Sequence, residues 1–230
     1  MATEIRTADQ EKAIHDLLAD FGRIPLTPGP PPDESGGWRP PSEPEQRPLM
    51  ENAQLATLIF LGAETMFFAA LIGAYLVARV GAIAWPPPFQ PRLPVEVTAV
   101  NTLFLLASSL AMVRARRAIR RGDRAGLVRG LGQTALLGTT FLFIQGYEWI
   151  RLVSFGLTAS SGMYGATFYT LIGIHGAHVL AAVIWLSVIF IGATRERFSQ
   201  GSHLRVTICG MYWHFVVAVW PILFALVYLV

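Results

Sequence analysis

Six polar side chains interrupt stretches of this sequence that are otherwise apolar enough to lie in lipid. They are Glu64, Gln145, Glu148, His175, His178 and His214. An ionised side chain at the centre of a bilayer costs roughly 2.5–3.5 kcal/mol on the insertion scale. Two carboxylates and three imidazoles could bind a metal ion, conduct protons or join helices through hydrogen bonds.

Metal binding is the least favoured of these three interpretations. His175 and His178 are three residues apart on one helical face, a spacing that suits metal ligands, but no Glu-x-x-His pair accompanies them. The single cysteine, Cys209, can form neither an internal disulfide nor a thiolate metal site. We therefore favour a hydrogen-bonded polar network that holds the helices in register, ahead of a proton path, and we expect no catalytic and no metal-ligating residue.

The depth of each group in the membrane predicts two pairings. At a rise of 1.5 Å per residue, Glu64 and His214 both lie roughly 12–14 Å from one face. By the same count, Glu148 and His175 both lie roughly 26–27 Å deep. The sequence therefore predicts that Glu64 pairs with His214 and that Glu148 pairs with His175.

The elements that carry these groups are predicted to be membrane-spanning helices. Hydrophobic residues make up 53% of the 230 positions and charged residues only 14%, where a soluble domain would carry about 25%. Five uncharged or nearly uncharged runs, each near the 20 residues that span a bilayer, lie at about 51–79, 95–113, 131–150, 164–193 and 206–230. Because open sheet edges are not tolerated in hydrocarbon, the prediction is an all-α, polytopic bundle of five transmembrane helices.

The arginines predict how the bundle is oriented. Seven arginines lie between the second and third runs and three between the fourth and fifth, against three in the opposite loops. Basic loops stay in the cytoplasm, so the N-terminus is predicted to be cytoplasmic and the C-terminus extracytoplasmic. Since the arginines follow the loops, we do not interpret them as a nucleic-acid surface.

Residues 1–50 form a separate region before the bundle at 51–230. They hold nine acids against five bases and nine of the fifteen prolines, and residues 1–30 contain no apolar stretch typical of a signal peptide. Ile14, Leu17, Leu18 and Phe21 have the spacing of a short amphipathic helix. The proline-rich part predicts an extended or disordered linker.

A second group of residues is predicted to line a lipid cleft or an interface. Pro221 frees the carbonyl of Val217 and is expected to kink the last span, which makes that span a shaped surface. The candidates are Arg79, Trp85, Gln145, Tyr212, Trp213 and Trp220.

Several motifs resemble subunit III of haem–copper terminal oxidases, in its shorter bacterial form with five spans. YWHFVVAVW, from Tyr212, resembles the family's YWHF(V/L)DVVW, and GIHGAHV, from Gly173, resembles its G-x-HG-x-HV. FIQGYEW, GAETMFF, WPPP and VEVTAVNTLFLLASS are also similar to family segments, in the same order, over roughly residues 51–230. One position departs from the pattern, because the family's aspartate after YWHFV is Val217 here.

The resemblance implies a subunit without haem or copper. Such a subunit packs against the catalytic subunit I, next to subunit II, in a bacterial inner membrane, holds phospholipid between its helices and supports proton uptake. The haems and copper that reduce oxygen lie in the partner subunits. The histidine count agrees, since three buried histidines are too few for two haems and a copper centre.

Other interpretations of the same sequence stay open. The complex could oxidise quinol instead of cytochrome c, or the chain could be an accessory subunit of a nitric oxide reductase. A stand-alone proton-coupled transporter is disfavoured because no internal repeat is visible. A membrane-embedded metal enzyme is the remaining alternative.

Overall fold

The structure is a computed structural model that describes residues 52–88, 90, 93–195 and 203–229, and all of its regular elements in those ranges are helical. The helices are α1 (Asn52–Val80), α2 (Val95–Arg120), α3 (Arg124–Ser154), α4 (Gly162–Thr194) and α5 (Leu204–Phe224), and a π-helical turn, Ala225–Leu229, continues α5. Five helices are long and apolar enough to cross a membrane, which confirms the predicted bundle. The N-terminal extension, with its predicted amphipathic helix and linker, lies outside the described residues.

The arginine-rich segment is mostly helical and contains only a short turn. α2 runs on to Arg120 and α3 begins at Arg124, so both helices extend past the uncharged runs in the sequence. Gly122 adopts a φ of 73°, which favours glycine, and the backbone N–H of Gly126 donates to Asp123 Oδ1 at 2.8 Å. A left-handed glycine followed by an aspartate N-cap closes a tight α2–α3 hairpin.

Four helices form a closed ring, and α1 lies outside it. α2 contacts α3 and α5, α4 contacts the same two helices, and α1 packs on α4 and α5. In α1 only Phe68 and Tyr75 are buried, while Ile59, Met66 and Val77 are largely exposed. The first helix is therefore attached by a narrow face, and its remaining surface is available to lipid or to another chain.

Large aromatic side chains fill the ring, and glycines make room for them. Trp213 and Trp220 of α5 are each 1% exposed, and the Trp220 ring packs edge-on against Phe141 of α3 at 5.0 Å between centroids. A Cβ atom at Gly138 would come within 2.9 Å of Trp213 Cζ2. Gly138 therefore lets α3 and α5 approach with the indole between them.

Hydrogen bonds at both ends of the bundle join segments that are distant in the sequence. At one end, Arg124 Nη2 donates to the carbonyl of Thr194 at 3.1 Å, which joins the start of α3 to the end of α4. At the other end, Tyr75 Oη and Arg79 Nη1 donate to the carbonyl of Leu226 at 3.2 and 3.0 Å. The two arginine-rich connections thus share one end. Which end faces the cytoplasm stays a prediction from the charge bias.

Candidate functional site

A carboxyl–imidazole pair joins α1 to α4. Glu64 Oε2 and His178 Nε2 are 3.1 Å apart, and the other ring nitrogen of His178, Nδ1, lies 2.8 Å from the carbonyl oxygen of Ile174. The side chain of His178 is 20% exposed and that of Glu64 is 18% exposed. The pair therefore lies in the seam where the outer helix meets the ring.

The hydrogen-bonding pattern determines how many protons the pair holds. A carbonyl oxygen can only accept, so Nδ1 of His178 carries a hydrogen and donates it to Ile174. The contact between Nε2 and Glu64 then contains one further proton, which belongs either to the carboxyl or to the imidazole. Both forms have zero net charge. A single proton can move between the two groups without leaving a net charge in the membrane.

The predicted pairing of Glu64 with His214 is wrong. His214 Nδ1 instead lies 2.7 Å from Ser109 Oγ, a hydrogen bond between α5 and α2. His214 is directed from α5 towards α2, whereas Glu64 is directed from α1 towards α4. Depth along a helix does not specify the direction in which a side chain points, and packing decides that direction.

The predicted pairing of Glu148 with His175 is also wrong. Glu148 Oε1 accepts from Arg151 Nη1 at 3.3 Å, one turn further along α3. His175 is 1% exposed, and its ring stacks on Trp220 with 5.2 Å between centroids and meets Phe68 edge-on at 6.1 Å. Neither ring nitrogen of His175 has a hydrogen-bond partner among the described residues.

His175 borders a cavity of about 400 Å³ between α3 and α4. Gln145, Trp149 and Trp220 also line this cavity, together with mainly apolar side chains. Trp149 Nε1, like the ring nitrogens of His175, has no partner within the described part of the chain. Gln145 is 5% exposed and donates from Nε2 to Tyr228 Oη at 3.2 Å. Two of the predicted cleft residues, Gln145 and Trp220, therefore line this cavity between α3 and α4.

The other two predicted cleft or interface residues of α5, Trp213 and Tyr212, are both buried among helices. Trp213 is buried against α2, where its Nε1 donates to Ser108 Oγ at 3.2 Å. Tyr212 is 8% exposed, with its ring 6.3 Å from that of Phe60 and 5.7 Å from that of Trp185. A tryptophan whose N–H finds a partner is stable in a helical interior, so aromatic character alone did not distinguish core from surface.

Arg79 and Trp85 attach the first connection to the end of the chain. Trp85 packs edge-on against Tyr75 and Tyr164, with centroids 5.7 and 5.1 Å apart, and it lines a cavity of about 470 Å³ together with Tyr228. Arg79 donates to the carbonyl of Leu226, as described above. Both residues therefore contact other parts of the chain at the end of the bundle opposite the arginine-rich hairpin.

α2 also has a polar face that was not predicted. Asn101 donates to the carbonyl of Phe141 at 3.1 Å, and Thr102 accepts from Trp220 Nε1 at 2.9 Å. Ser108 accepts the hydrogen bond of Trp213, and Ser109 shares a hydrogen bond with His214, as described above. The pairs Asn101–Thr102 and Ser108–Ser109 are seven residues apart, or two helical turns, which is a readable signal that one face of α2 points inward.

No metal-binding arrangement occurs in the ranges that the structure describes, where no three His, Cys, Asp or Glu side chains are grouped to hold an ion. The three histidines of the described spans have other surroundings. His178 is engaged through both nitrogens, His214 is bonded to Ser109, and His175 lies among aromatic rings.

Five apolar helices, joined by hydrogen bonds such as Glu64–His178 and Ser109–His214, define a multi-pass helical membrane protein. The sequence profile of the family "Cytochrome c oxidase subunit III" matches residues 45–230, and the chain belongs to this family. The resemblance found in the sequence motifs is thus confirmed.

Named bacterial relatives agree with this assignment. Cytochrome c oxidase subunit 3 of Synechocystis sp. is 40% identical over 173 residues, which cover 75% of this chain and 73% of that protein. The protein of the same name from Bacillus subtilis is 35% identical over 191 residues, covering 82% and 92%. A probable cytochrome c oxidase subunit 3 of Nocardia farcinica is 39% identical over 188 residues, covering 80% and 90%.

Proposed function

We propose that this chain is the non-redox accessory subunit III of a proton-pumping haem–copper oxygen reductase of the cytochrome c oxidase type. It would work in the aerobic respiratory chain of a bacterial inner membrane, packed on catalytic subunit I of a complex that also contains subunit II. Family membership supports the assignment to an oxidase. The observation that carries the proposal further is the Glu64–His178 pair, whose 3.1 Å contact joins a carboxyl to an imidazole in the seam of the bundle.

The haems and copper belong to the partner subunits in this proposal. Two haems and a copper centre need several imidazole ligands. Of the histidines in the described spans, His178 and His214 are hydrogen-bonded and His175 stacks on Trp220, which supports this part of the proposal.

The proton-related role follows from the chemistry of the pair. Glu64 can release its proton to His178 and recover it while the net charge of the pair stays at zero. The side chains are about one-fifth exposed at the edge of α1, so the pair is not fully enclosed by the ring of helices. We infer that it supports proton uptake by the complex and is not itself a site of catalysis.

The lipid-related role follows from the weak attachment of α1. Its narrow contact with α4 and α5 leaves apolar side chains such as Met66 and Val77, both more than 70% exposed, without a protein partner among the described residues. Structural phospholipid held against this helix would cover that surface.

Purification through a C-terminal tag in mild detergent tests the assignment. Larger subunits with haem absorption bands and oxygen uptake are expected to copurify, and comparing reduced cytochrome c with quinol as the donor identifies the oxidase type. A chain that elutes alone, colourless and folded contradicts the proposal.

The proton role is tested with Glu64→Gln, which keeps the size of the side chain and removes its exchangeable proton. The expected result is slower proton uptake and loss of activity during sustained turnover, with haem content unchanged. Glu96→Gln is the matched control, because Glu96 is exposed at the start of α2. Equal behaviour of the two variants would remove the proton role and leave the assignment to the oxidase intact.

A further inference from the structure

Two cavities meet on the outer face of the α2–α3 hairpin. The first, of about 430 Å³, lies at the arginine-rich end and is lined by four arginines, Arg114, Arg117, Arg121 and Arg129. The second, of about 420 Å³, continues along the helices and is lined mainly by apolar side chains. Arg114 and Gln133 line both cavities, so the charged one opens directly into the apolar one.

The spacing of the arginines explains why they converge. Arg114, Arg117 and Arg121 follow an i, i+3, i+7 pattern, which places them on one face of α2. Arg129 lines the same cavity from α3. The two helices are close together here, since a Cβ atom at Gly130 would come within 2.8 Å of Ala115 Cβ. Close approach of the two helices therefore brings four guanidinium groups to one cavity.

These arginines leave a positive charge that other described residues do not neutralise. Asp123 is the one acidic residue in the lining, so the cavity carries a net charge of +3. The Oδ1 atom of Asp123 accepts the N-cap hydrogen bond of Gly126. Within the described ranges, Arg114, Arg117 and Arg121 form no ion pair with an acidic side chain.

The preference of basic residues for one side of a membrane does not by itself produce this convergence. Two other arginines of the same hairpin point elsewhere: Arg116 packs against Gly210 of α5, and Arg124 bonds to Thr194 of α4. Four of the hairpin arginines instead share one cavity on the outer face, directly above an apolar groove.

We propose that this face binds an anionic phospholipid, with its phosphate among the four arginines and an acyl chain in the groove beyond Arg114. Guanidinium groups bind phosphate oxygens through paired, charge-assisted hydrogen bonds, and basic pockets between membrane helices bind anionic headgroups. Leu110 and Leu136, which line the groove, are 64% and 68% exposed and offer the chain an apolar surface. The site does not depend on the proposed oxidase function, since it uses the α2–α3 hairpin alone.

The test is photo-crosslinking of the full-length protein, together with any subunits that copurify. The probe is phosphatidylglycerol with a photoreactive group in one acyl chain, titrated in mixed micelles. Mass spectrometry should locate the label on the peptides that contain Leu110 and Leu136. Phosphatidylcholine with the same chains should compete weakly, and inorganic phosphate should compete weakly because it cannot use the groove.

Three variants test separately what the arginine charge and the apolar groove contribute to lipid binding. Arg114→Gln with Arg117→Gln should weaken labelling about 25-fold, at about fivefold for each basic residue removed. Arg195→Gln with Arg205→Gln removes the same charge at the same end of the bundle, outside the cavity, and should change labelling less than twofold. Ala107→Phe fills the groove without altering the charge and should also weaken labelling.

Several results would overturn the proposal. Equal loss in the two double variants would mean that the attraction is a general effect of surface charge. Full competition by inorganic phosphate would assign the arginines to a soluble anion instead of a lipid. Label on a copurifying subunit in place of α2 and α3, or unchanged labelling of the Ala107→Phe variant, would show that the groove holds no acyl chain.

Discussion

The pairing of Glu64 with His178 predicts a measurable coupling between the two side chains. Replacing each by alanine, singly and together, gives a double-mutant cycle whose coupling energy isolates their interaction. The same cycle made with Glu64 and His214 is the matched control, because His214 is bonded to Ser109 and shares no partner with Glu64. The two cycles contrast the tertiary contact with the pairing that membrane depth alone suggests.

The size of the coupling follows from the geometry. One interhelical hydrogen bond of 3.1 Å joins the two side chains, and each of them is about one-fifth exposed. Such bonds contribute about 0.6 kcal/mol on average in membrane proteins and up to about 1.7 kcal/mol. We expect about 1 kcal/mol for Glu64 with His178, or about fivefold in the unfolding equilibrium. The control cycle should be additive to within about 0.5 kcal/mol.

The assay is unfolding of the full-length chain in lipid–detergent micelles by titration with a denaturing detergent. Helix content measured by circular dichroism gives the free energy of unfolding for each variant under one set of conditions. Coupling near zero for His178, or larger coupling for His214 than for His178, would refute both the contact and the proton count that depends on it.

Two further substitutions test the packing of the ring. Gly138→Ala should lower the free energy of unfolding by about 1–3 kcal/mol, because the added methyl group would lie 2.9 Å from Trp213 Cζ2. Thermal melts should show no such loss for Gly146→Ala on the same helix, where nothing lies within 4 Å, and equal loss in both would contradict the packing. Ser109→Ala should cost about 0.5–1.5 kcal/mol by removing the hydroxyl 2.7 Å from His214 Nδ1. The same change should have little effect in a His214→Phe background, and equal losses in both backgrounds would argue against this hydrogen bond.

Val217, which stands where the family motif has an aspartate, lies in the core of the ring. Val217 is 3% exposed and belongs to the apolar core of the ring. A carboxylate at this position would be enclosed by the bundle and would need a partner to offset its desolvation. In this chain an apolar side chain fills the position instead, while the neighbouring His214 makes its hydrogen bond to Ser109.

Local features of the chain were sufficient to predict the helices. The hydropathy and length of each run predicted five spans, and the structure extends them mainly at the arginine-rich hairpin, where α2 continues to Arg120 and α3 begins at Arg124. The arginines do not end these helices, because arginine has a high helix propensity. The family, too, could be identified from short motifs such as YWHFVVAVW, because their order and spacing are preserved in the sequence.

The sequence by itself therefore determined that the protein is a five-helix membrane bundle and which residues are polar within it, because these are properties of single segments. Only the tertiary structure decided that Glu64 meets His178 and that His214 meets Ser109. Those partners depend on how each helix is rotated about its axis. The rotation is determined by contacts between distant segments, such as the indole of Trp213 against Gly138, and no single segment contains that information.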